Sequence, residues 1–260
     1  MGILNVTPDS FSDGGLFLST EAAVSQGRAM AAAGADIIDV GGESTRPGAA
    51  PVDAATQVAR VVPVIEVLAQ ALTVPISIDT TQAEVAIAAL DAGARIVNDV
   101  SAGRDSKAML PLLAERGAGV VLMHMRGTPR TMQEDPRYDD VVHEVTEFLR
   151  ARAECACVAG VAPEAIAVDP GIGFGKTVAQ NALLLGALDR LARLGYAVLV
   201  GPSKKMFLGA LTGREVGVRG SATTAAVALA LWRGAHIVRV HDVAAARDAA
   251  AVVSAVKAGV

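Results

Sequence analysis

The chain has 260 residues, of which 52% are hydrophobic and only 3% are aromatic, and its formal net charge at pH 7 is -4. This acidic balance argues against a nucleic-acid-binding surface, for which a basic face is expected, and no apolar stretch reaches the roughly 18 residues that a membrane helix needs. Polar residues from Asn5 to Asp9 interrupt the first apolar run, so a signal peptide is not predicted and a soluble, cytoplasmic protein is expected.

One pattern recurs along the whole chain: an apolar run, a polar residue, a glycine-rich loop and a helix. The apolar runs lack the alternation of a strand with one wet face, which is typical of parallel strands buried on both faces. The predicted strands cover 1–6, 37–41, 75–79, 95–100, 119–125, 165–168, 197–201 and 237–241. The predicted helices cover 20–34, 54–71, 106–116, 141–159, 178–194, 221–233 and 244–257, with one more that begins at 82. These α/β units predict a single-domain (β/α)8 TIM barrel over 1–260, with the active site at the carboxyl ends of the strands, and an open Rossmann-like sheet is the alternative.

Two motifs suggest other chemistry, and both are incomplete. The segment GIGFGKT resembles a nucleotide-binding P-loop, but Pro170 stands where that motif requires its first glycine. Cys155 and Cys157 lie two residues apart in a predicted helix, which is not the spacing of a zinc site. We therefore expect two free thiols in a reducing compartment.

Polar side chains follow most of the predicted strands, and in a barrel these positions lie on one rim. They divide into acceptors and cations, namely Asp79, Asn98 and Asp169 against Arg46, Lys205, Arg239 and His241. Buried carboxylates require a donor partner, which an amino-pyrimidinone ring would supply, whereas arginine and lysine suit phosphate or carboxylate oxygens. The set predicts a ligand with a guanidine-like end and an anionic end, although a helix cap or a rim ion pair explains any single member equally well.

Three more residues could contribute to the same site. Asn5 could be an oxygen ligand of Mg²⁺, which commonly keeps several waters and bridges substrate phosphates. Met123 and Phe174 could sandwich a flat ring beside the acceptors Asp79, Asn98 and Asp169, or they could simply pack the barrel.

Eight segments resemble the dihydropteroate synthase family, in the order MGILNVTPDSFSDGG, DVGGESTRPGA, PISIDT, IVNDVSA, LMHMRGTPRTMQ, VDPGIGFGKT, GPSKKMFLG and RVHDV. They span essentially the whole chain, and the first, second and sixth together are highly specific. The resemblance implies a pterin-binding barrel, a transferase that joins p-aminobenzoate to (7,8-dihydropterin-6-yl)methyl diphosphate. The products would be 7,8-dihydropteroate, for folate biosynthesis, and pyrophosphate. The resemblance also implies Mg²⁺ as cofactor, a homodimer and inhibition by sulfonamides.

The resemblance also assigns roles to residues of the matching motifs. Pterin binding is implied for Asp79, Asn98, Met123, Asp169, Phe174 and Lys205. Binding of p-aminobenzoate is implied for Thr45, Arg46, Pro47, Phe174 and Lys205. Diphosphate binding is implied for Asn5, Thr45, Arg239, Val240 and His241, with Asn5 also holding the metal. Catalytic roles are implied for Asn5, Arg46 and Lys205, and the loops around 5–15 and 45–47 are expected to close over the substrates.

Three departures from the family pattern bear on these roles. Lys204 stands where arginine is usual, which keeps the charge but loses the planar guanidinium. Met206 occupies a position often held by serine or arginine, so other groups, such as backbone N–H groups at a helix start, must hold the carboxylate of p-aminobenzoate. The family usually has residues before the first strand that cover the barrel floor, so we expect either an internal start or a floor that is closed differently.

Two other functions fit the same barrel. A pterin-binding methyltransferase would share the floor of two aspartates and an asparagine, but it has no use for a diphosphate pocket, so Arg239 and His241 argue against it. A catalytically silent pterin binder would keep the barrel without turnover, and the presence of Asn5, Arg46 and Lys205 argues against that function.

Overall fold

The computed structural model describes residues 1–7, 16–44, 49–128 and 130–259, with only the backbone of 16–19. Within these residues, eight parallel strands lie in a sheet in the order of the sequence. They are β1 (Gly2–Asn5), β2 (Ile38–Gly41), β3 (Ile76–Asp79), β4 (Ile96–Asp99), β5 (Gly119–Met123), β6 (Ile166–Asp169), β7 (Ala197–Val200) and β8 (Ile237–Val238). A parallel bridge between Gly2 and Val240 returns the last strand to the first. The predicted (β/α)8 barrel is confirmed.

Helices follow the strands and cover the outside of the barrel. Among the described residues they are α1 (Leu16–Ala32), α2 (Ala54–Ala71), α3 (Ala83–Asp91), α4 (Met109–Arg116), α5 (Val141–Val158), α6 (Val178–Gly186), α7 (Leu188–Ala192), α8 (Met206–Thr212), α9 (Gly220–Trp232) and α10 (Val243–Ala258). Side chains fix several starts: the Asp53 carboxylate accepts from the Thr56 N–H at 2.9 Å before α2, and Thr177 and Gln180 form a capping box at α6. None of the described helices is long and apolar enough to cross a bilayer.

One helical prediction was wrong, and one helix was missed. The helix predicted over 178–194 is interrupted at Ala187, whose backbone (φ -114, ψ 19) is not helical, and the preceding Gly186 is a poor helix former. Helix α8 was not predicted, because its short sequence contains Gly209 and its local helical signal is weak. In the fold, the guanidinium of Arg219 packs against Gly209, and its Nη1 donates to the Lys204 carbonyl oxygen at 3.2 Å, just before the helix begins.

The interior of the barrel is apolar on one side and polar on the other. Val121, Ala167 and Leu199 form a buried apolar cluster with Met1. On β2 and β3 the corresponding buried positions are Asp39 and Ser77, which pair across the two strands. The barrel therefore contains polar groups deep in its interior, directly below the rim where the strands end.

Candidate active site

The register of the sheet brings predicted site residues from neighbouring strands to one level. Asn5 pairs with Gly41, Gly41 with Asp79, and Asp79 with Asn98. On the next pair of strands, Met123 lies opposite Asp169. All of these positions are at the carboxyl ends of their strands, which is where barrel enzymes hold their active sites.

Arg239 joins two acidic side chains inside the barrel. Its Nε donates to Asp39 Oδ2 at 2.6 Å, and its Nη2 donates to Asp79 Oδ2 at 2.7 Å. The same Asp39 oxygen accepts from Asn98 Nδ2 at 3.1 Å. Burial opposes the charge of the guanidinium, but the two carboxylates outweigh this effect and raise the pKa of Arg239. One cation thus serves two carboxylates, and we refer to Asp39, Asp79, Asn98 and Arg239 as the acidic floor.

Three buried oxygen atoms on or beside this floor have no hydrogen-bond partner within the described residues: Asp39 Oδ1, Ser77 Oγ and Asp79 Oδ1. An unsatisfied buried polar atom costs roughly 1–3 kcal/mol. Burial raises the pKa of Asp79 in spite of the opposing charge of Arg239, and the charge of Asp39 raises it further. A ligand that donates an N–H group to Asp79 would remove this cost, so the floor suits a donor-rich ring.

Asp169 ends β6 and is held by the first turn of the glycine-rich loop. Its Oδ1 accepts from the Gly171 N–H at 2.7 Å. Burial raises the pKa of Asp169 to about 6, although the nearby charges of Lys205 and Lys176 oppose this. Gly171 has a φ of +67, and a β-carbon there would collide with the carbonyl oxygen of His124. Only glycine lets the loop turn this close to β5.

Lys205 and Phe174 lie together on the same side of the rim. The Lys205 Nζ is 3.9 Å from the centroid of the Phe174 ring, which is a cation–π contact. The lysine stem passes Gly173, where an added β-carbon would lie 2.8 Å from Lys205 Cδ. Phe174 shares a small buried cluster with Met123. The structure thus brings Met123, Phe174 and Lys205 together beside Asp169.

Lys176 is buried beneath the glycine-rich loop that follows β6 and bonds its backbone. Only 3% of it is exposed, and its Nζ lies 3.0 Å from His124 Nδ1, 3.0 Å from the Gly171 carbonyl oxygen and 2.8 Å from that of Phe174. Burial lowers the pKa of Lys176 to about 7 and the pKa of His124 to about 2. His124 is buried against Phe148, with 4.9 Å between the ring centroids. Lys176, the lysine of GIGFGKT, therefore links the loop after β6 to the segment after β5.

Of the residues predicted to bind the diphosphate, Asn5 ends β1, and Arg239, Val240 and His241 directly follow β8. The His241 Nδ1 lies 2.9 Å from Ser203 Oγ. Val240 is buried, and its N–H donates to the Met1 carbonyl oxygen at 3.0 Å, so it helps to close the barrel and its binding role stays a prediction. A β-carbon on Gly41 would lie 3.7 Å from Asn5 Oδ1 and 3.6 Å from Asp79 Cβ. The Asn5 amide therefore lies next to the acidic floor.

The donor set at Asn5 fits one kind of magnesium site. No group of three or more His, Cys, Asp or Glu side chains that could hold a metal occurs among the described residues. Asn5 offers one neutral oxygen, which is enough for an Mg²⁺ ion that keeps waters and takes its other oxygens from a substrate diphosphate.

Thr45, Arg46 and Pro47, predicted to contact p-aminobenzoate, lie outside the described residues.

Comparison with known proteins places the chain in a family. The model of the pterin binding enzyme family matches residues 1–241. A dihydropteroate synthase of Mycobacterium leprae is 51% identical over an alignment of 263 residues, which covers 98% of this chain and 92% of the relative. The chain belongs to the dihydropteroate synthase family.

Solved structures of this family have the same fold. The dihydropteroate synthase of Xanthomonas albilineans with 4-aminobenzoic acid has a TM-score of 0.93 and 49% identity, covering 99% of this chain and 92% of that one. A structure of the dihydropteroate synthase from the same organism in complex with 7,8-dihydropteroate has a TM-score of 0.90 and 47% identity, covering 99% and 93%. The resemblance seen in the sequence is confirmed.

Sequence reasoning missed three residues of the site. Asp39 lies within the apolar run of β2, and a carboxylate in a strand buried on both faces is itself a signal, because it requires a partner. Lys176 was considered only as part of an incomplete P-loop. Ser203 had no signal of its own, because its contact with His241 joins residues 38 positions apart.

Proposed function

We propose that this protein is a dihydropteroate synthase, which joins p-aminobenzoate to (7,8-dihydropterin-6-yl)methyl diphosphate and releases pyrophosphate. The observation that carries the proposal is the acidic floor, where a buried Asp79 oxygen has no hydrogen-bond partner within the described residues. The amino-pyrimidinone edge of a pterin presents the N–H donors that such oxygens require. Family membership and the small-molecule complexes of the related enzymes support the same function.

The pterin ring would lie across the floor. Asp79 and Asp169 accept from its N–H groups, and Asn98 provides an amide beside them. Met123 and Phe174 contact the ring faces, while the Lys205 ammonium, which already lies on the Phe174 ring, reaches the polar edge of the substrate. Two carboxylates near an electron-rich dihydropterin also stabilise positive charge on its methylene carbon.

The diphosphate would occupy the side of the rim formed by Asn5, Arg239 and His241. The bond between the methylene carbon and the diphosphate oxygen breaks, and the electron pair leaves with the pyrophosphate. Arg239 and His241 stabilise the negative charge that builds on this leaving group. Mg²⁺, held by Asn5 and the substrate oxygens, would supply further charge neutralisation.

The second substrate would enter beside Phe174 and Lys205, with Thr45, Arg46 and Pro47 closing over it. The amine nitrogen of p-aminobenzoate forms the new carbon–nitrogen bond with its lone pair and then loses a proton. The protein needs no nucleophile of its own, because the amine attacks the carbon directly. Closure excludes water, which would otherwise capture the same carbon.

The proposal also includes Mg²⁺ dependence, a homodimer, a single domain and a cytoplasmic location.

The test is product formation by the purified protein with both substrates and Mg²⁺, followed by mass spectrometry for 7,8-dihydropteroate and by a pyrophosphate assay. Equal amounts of the two products are expected. Pyrophosphate without dihydropteroate would contradict the amine site, and the absence of both would contradict the enzyme function. Binding of methyltetrahydrofolate in place of the diphosphate substrate would favour the methyltransferase alternative.

A further inference from the structure

Arg239 divides its hydrogen bonds between two acids of different depth. Its Nε bonds Asp39, which has no exposed surface, and its Nη2 bonds Asp79, of which 8% is exposed. The Arg239 side chain itself keeps 18% exposure. The guanidinium therefore has one partner in the barrel interior and one at the level where a substrate binds.

The two acids also differ in their other contacts. Asp39 Oδ2 accepts from Asn98 on β4 as well as from Arg239 after β8, so it is held by two separate segments. Asp79 lies in the row of strand ends, and its Oδ1 has no hydrogen-bond partner within the described residues. The amino-pyrimidinone edge of a pterin carries two adjacent N–H donors, which match both oxygens of a carboxylate. One donor fills the open Oδ1 of Asp79, and the other competes with Arg239 Nη2 for Oδ2. The bond between Nε and Asp39 is more deeply buried and lies below the reach of the ring.

We infer that Asp39 is a positioning residue that anchors Arg239 through Nε, and that a bound pterin ring takes over Asp79 and releases Arg239 Nη2 to the diphosphate. The inference rests on the proposed function, because it assigns the two ends of that substrate to the two sides of Arg239. Release of Nη2 costs little at that moment, because the ring replaces one donor to Asp79 by another and the diphosphate supplies a charged acceptor.

The arrangement links recognition of the ring to binding of the diphosphate. If the ring frees Nη2, a pterin without a diphosphate will tighten the binding of pyrophosphate, and by thermodynamic reciprocity pyrophosphate will tighten the binding of the pterin by the same factor. 6-Hydroxymethylpterin is an uncharged probe of the ring site, so any tightening cannot arise from added charge.

The first experiment is calorimetric titration of the full protein with pyrophosphate and Mg²⁺, in the absence and in the presence of saturating 6-hydroxymethylpterin. About tenfold tighter binding is expected with the pterin present, which is within the usual range for coupled sites. Equal pyrophosphate affinities with and without the pterin would overturn the inference while leaving the proposed function intact. Failure of both ligands to bind would remove the proposed function and the inference together.

The second experiment separates positioning from simple electrostatics through the Asp39→Asn variant. Loss of a negative charge near an anion site would by itself tighten pyrophosphate binding. Replacing the charged acceptor of Nε by a neutral amide oxygen instead weakens the anchor and lets the guanidinium turn towards Asp79. Pyrophosphate binding is therefore expected to weaken by about fivefold, and the effect of the pterin to shrink. Ser77→Ala is the matched control, because Ser77 lies opposite Asp39 in the register and is equally buried. Tighter pyrophosphate binding by Asp39→Asn would overturn the anchor.

A second pair of variants keeps the inference testable if Asp39→Asn does not fold. Asp79→Asn and Asp169→Asn each remove one negative charge from the site, but only Asp79 holds Nη2. Pyrophosphate alone is expected to bind about tenfold more tightly to Asp79→Asn than to Asp169→Asn. Equal affinities of the two variants would show that Arg239 is not held back by Asp79.

Discussion

The Lys176→Met variant should lose a pH dependence of stability that the buried ammonium gives to the parent protein. Lys176 is 3% exposed, and burial lowers its pKa from 10.5 to about 7 in spite of the opposing charge of Asp169. Its Nζ is held by the His124 ring and by the carbonyl oxygens of Gly171 and Phe174. Methionine has nearly the same length and carries no titratable group.

The sign follows from proton binding. Between pH 7 and pH 10.5 the unfolded chain keeps the proton on Lys176 and the folded protein has largely lost it, so the free energy of unfolding rises with pH. The full difference between the two pKa values corresponds to about 5 kcal/mol, of which about 2 kcal/mol falls between pH 7 and pH 9. The free energy of unfolding of the parent protein should therefore rise by about 2 kcal/mol relative to Lys176→Met over that interval.

The assay is urea unfolding of both proteins at a series of pH values from 7 to 9, followed by circular dichroism. Lys257→Met is the control, because Lys257 is exposed and donates to the Leu231 carbonyl oxygen at 2.7 Å. Its free energy of unfolding should run parallel to that of the parent protein. A constant difference between the parent and Lys176→Met at every pH would refute the reasoning, because it would mean that Lys176 keeps its proton in the fold.

Three more outcomes are expected. Pterin affinity, measured by fluorescence titration, should fall by up to about tenfold per pH unit below pH 7 and more steeply below pH 6. Burial raises the pKa of Asp79 to about 7 and that of Asp169 to about 6, so these two acceptors take up protons over that range. A flat profile would contradict this. Asp169→Asn should weaken pterin binding by about 100-fold, because an acceptor becomes partly a donor that faces donors, and unchanged affinity would remove Asp169 from the site. Gly171→Ala should lower the free energy of unfolding by roughly 3 kcal/mol, and Gly117→Ala by about 1 kcal/mol. Gly117 is the control, because it has a similar positive φ and no atom lies within 4 Å of an added β-carbon. Equal losses in urea unfolding would contradict the collision with His124.

The fold could be predicted from the sequence because each barrel unit repeats one local pattern. The run from Ala165 to Asp169 shows this clearly, since an uninterrupted apolar segment that ends in a carboxylate identified a buried strand and its active-site end together. Helix α2 was predicted with the correct bounds for the same reason, because local capping by Asp53 marks its start. Such signals lie within a few residues of the element that they define.

The rest depends on contacts between distant residues. The sequence indicated Asp79 and Arg239 as candidates of opposite charge. It did not indicate that Arg239 would bond both Asp79 and Asp39, and the contact with Asp39 joins residues 200 positions apart. Nor does a local pattern show that Lys176 reaches back to His124, 52 residues earlier. Electrostatic partners of this kind are set by the register of the barrel, which only the closed sheet determines.

A floor of buried acceptors should select a ring with an amino-pyrimidinone edge. The most direct measurement compares the binding of 6-hydroxymethylpterin with that of the matching 2,4-dioxo pteridine, which replaces the 2-amino donor by an acceptor. The pterin should bind roughly 100-fold more tightly, because the oxo group would face Asp79 or Asp169 without a hydrogen to share. Equal affinity for the two rings would contradict the assignment of the floor.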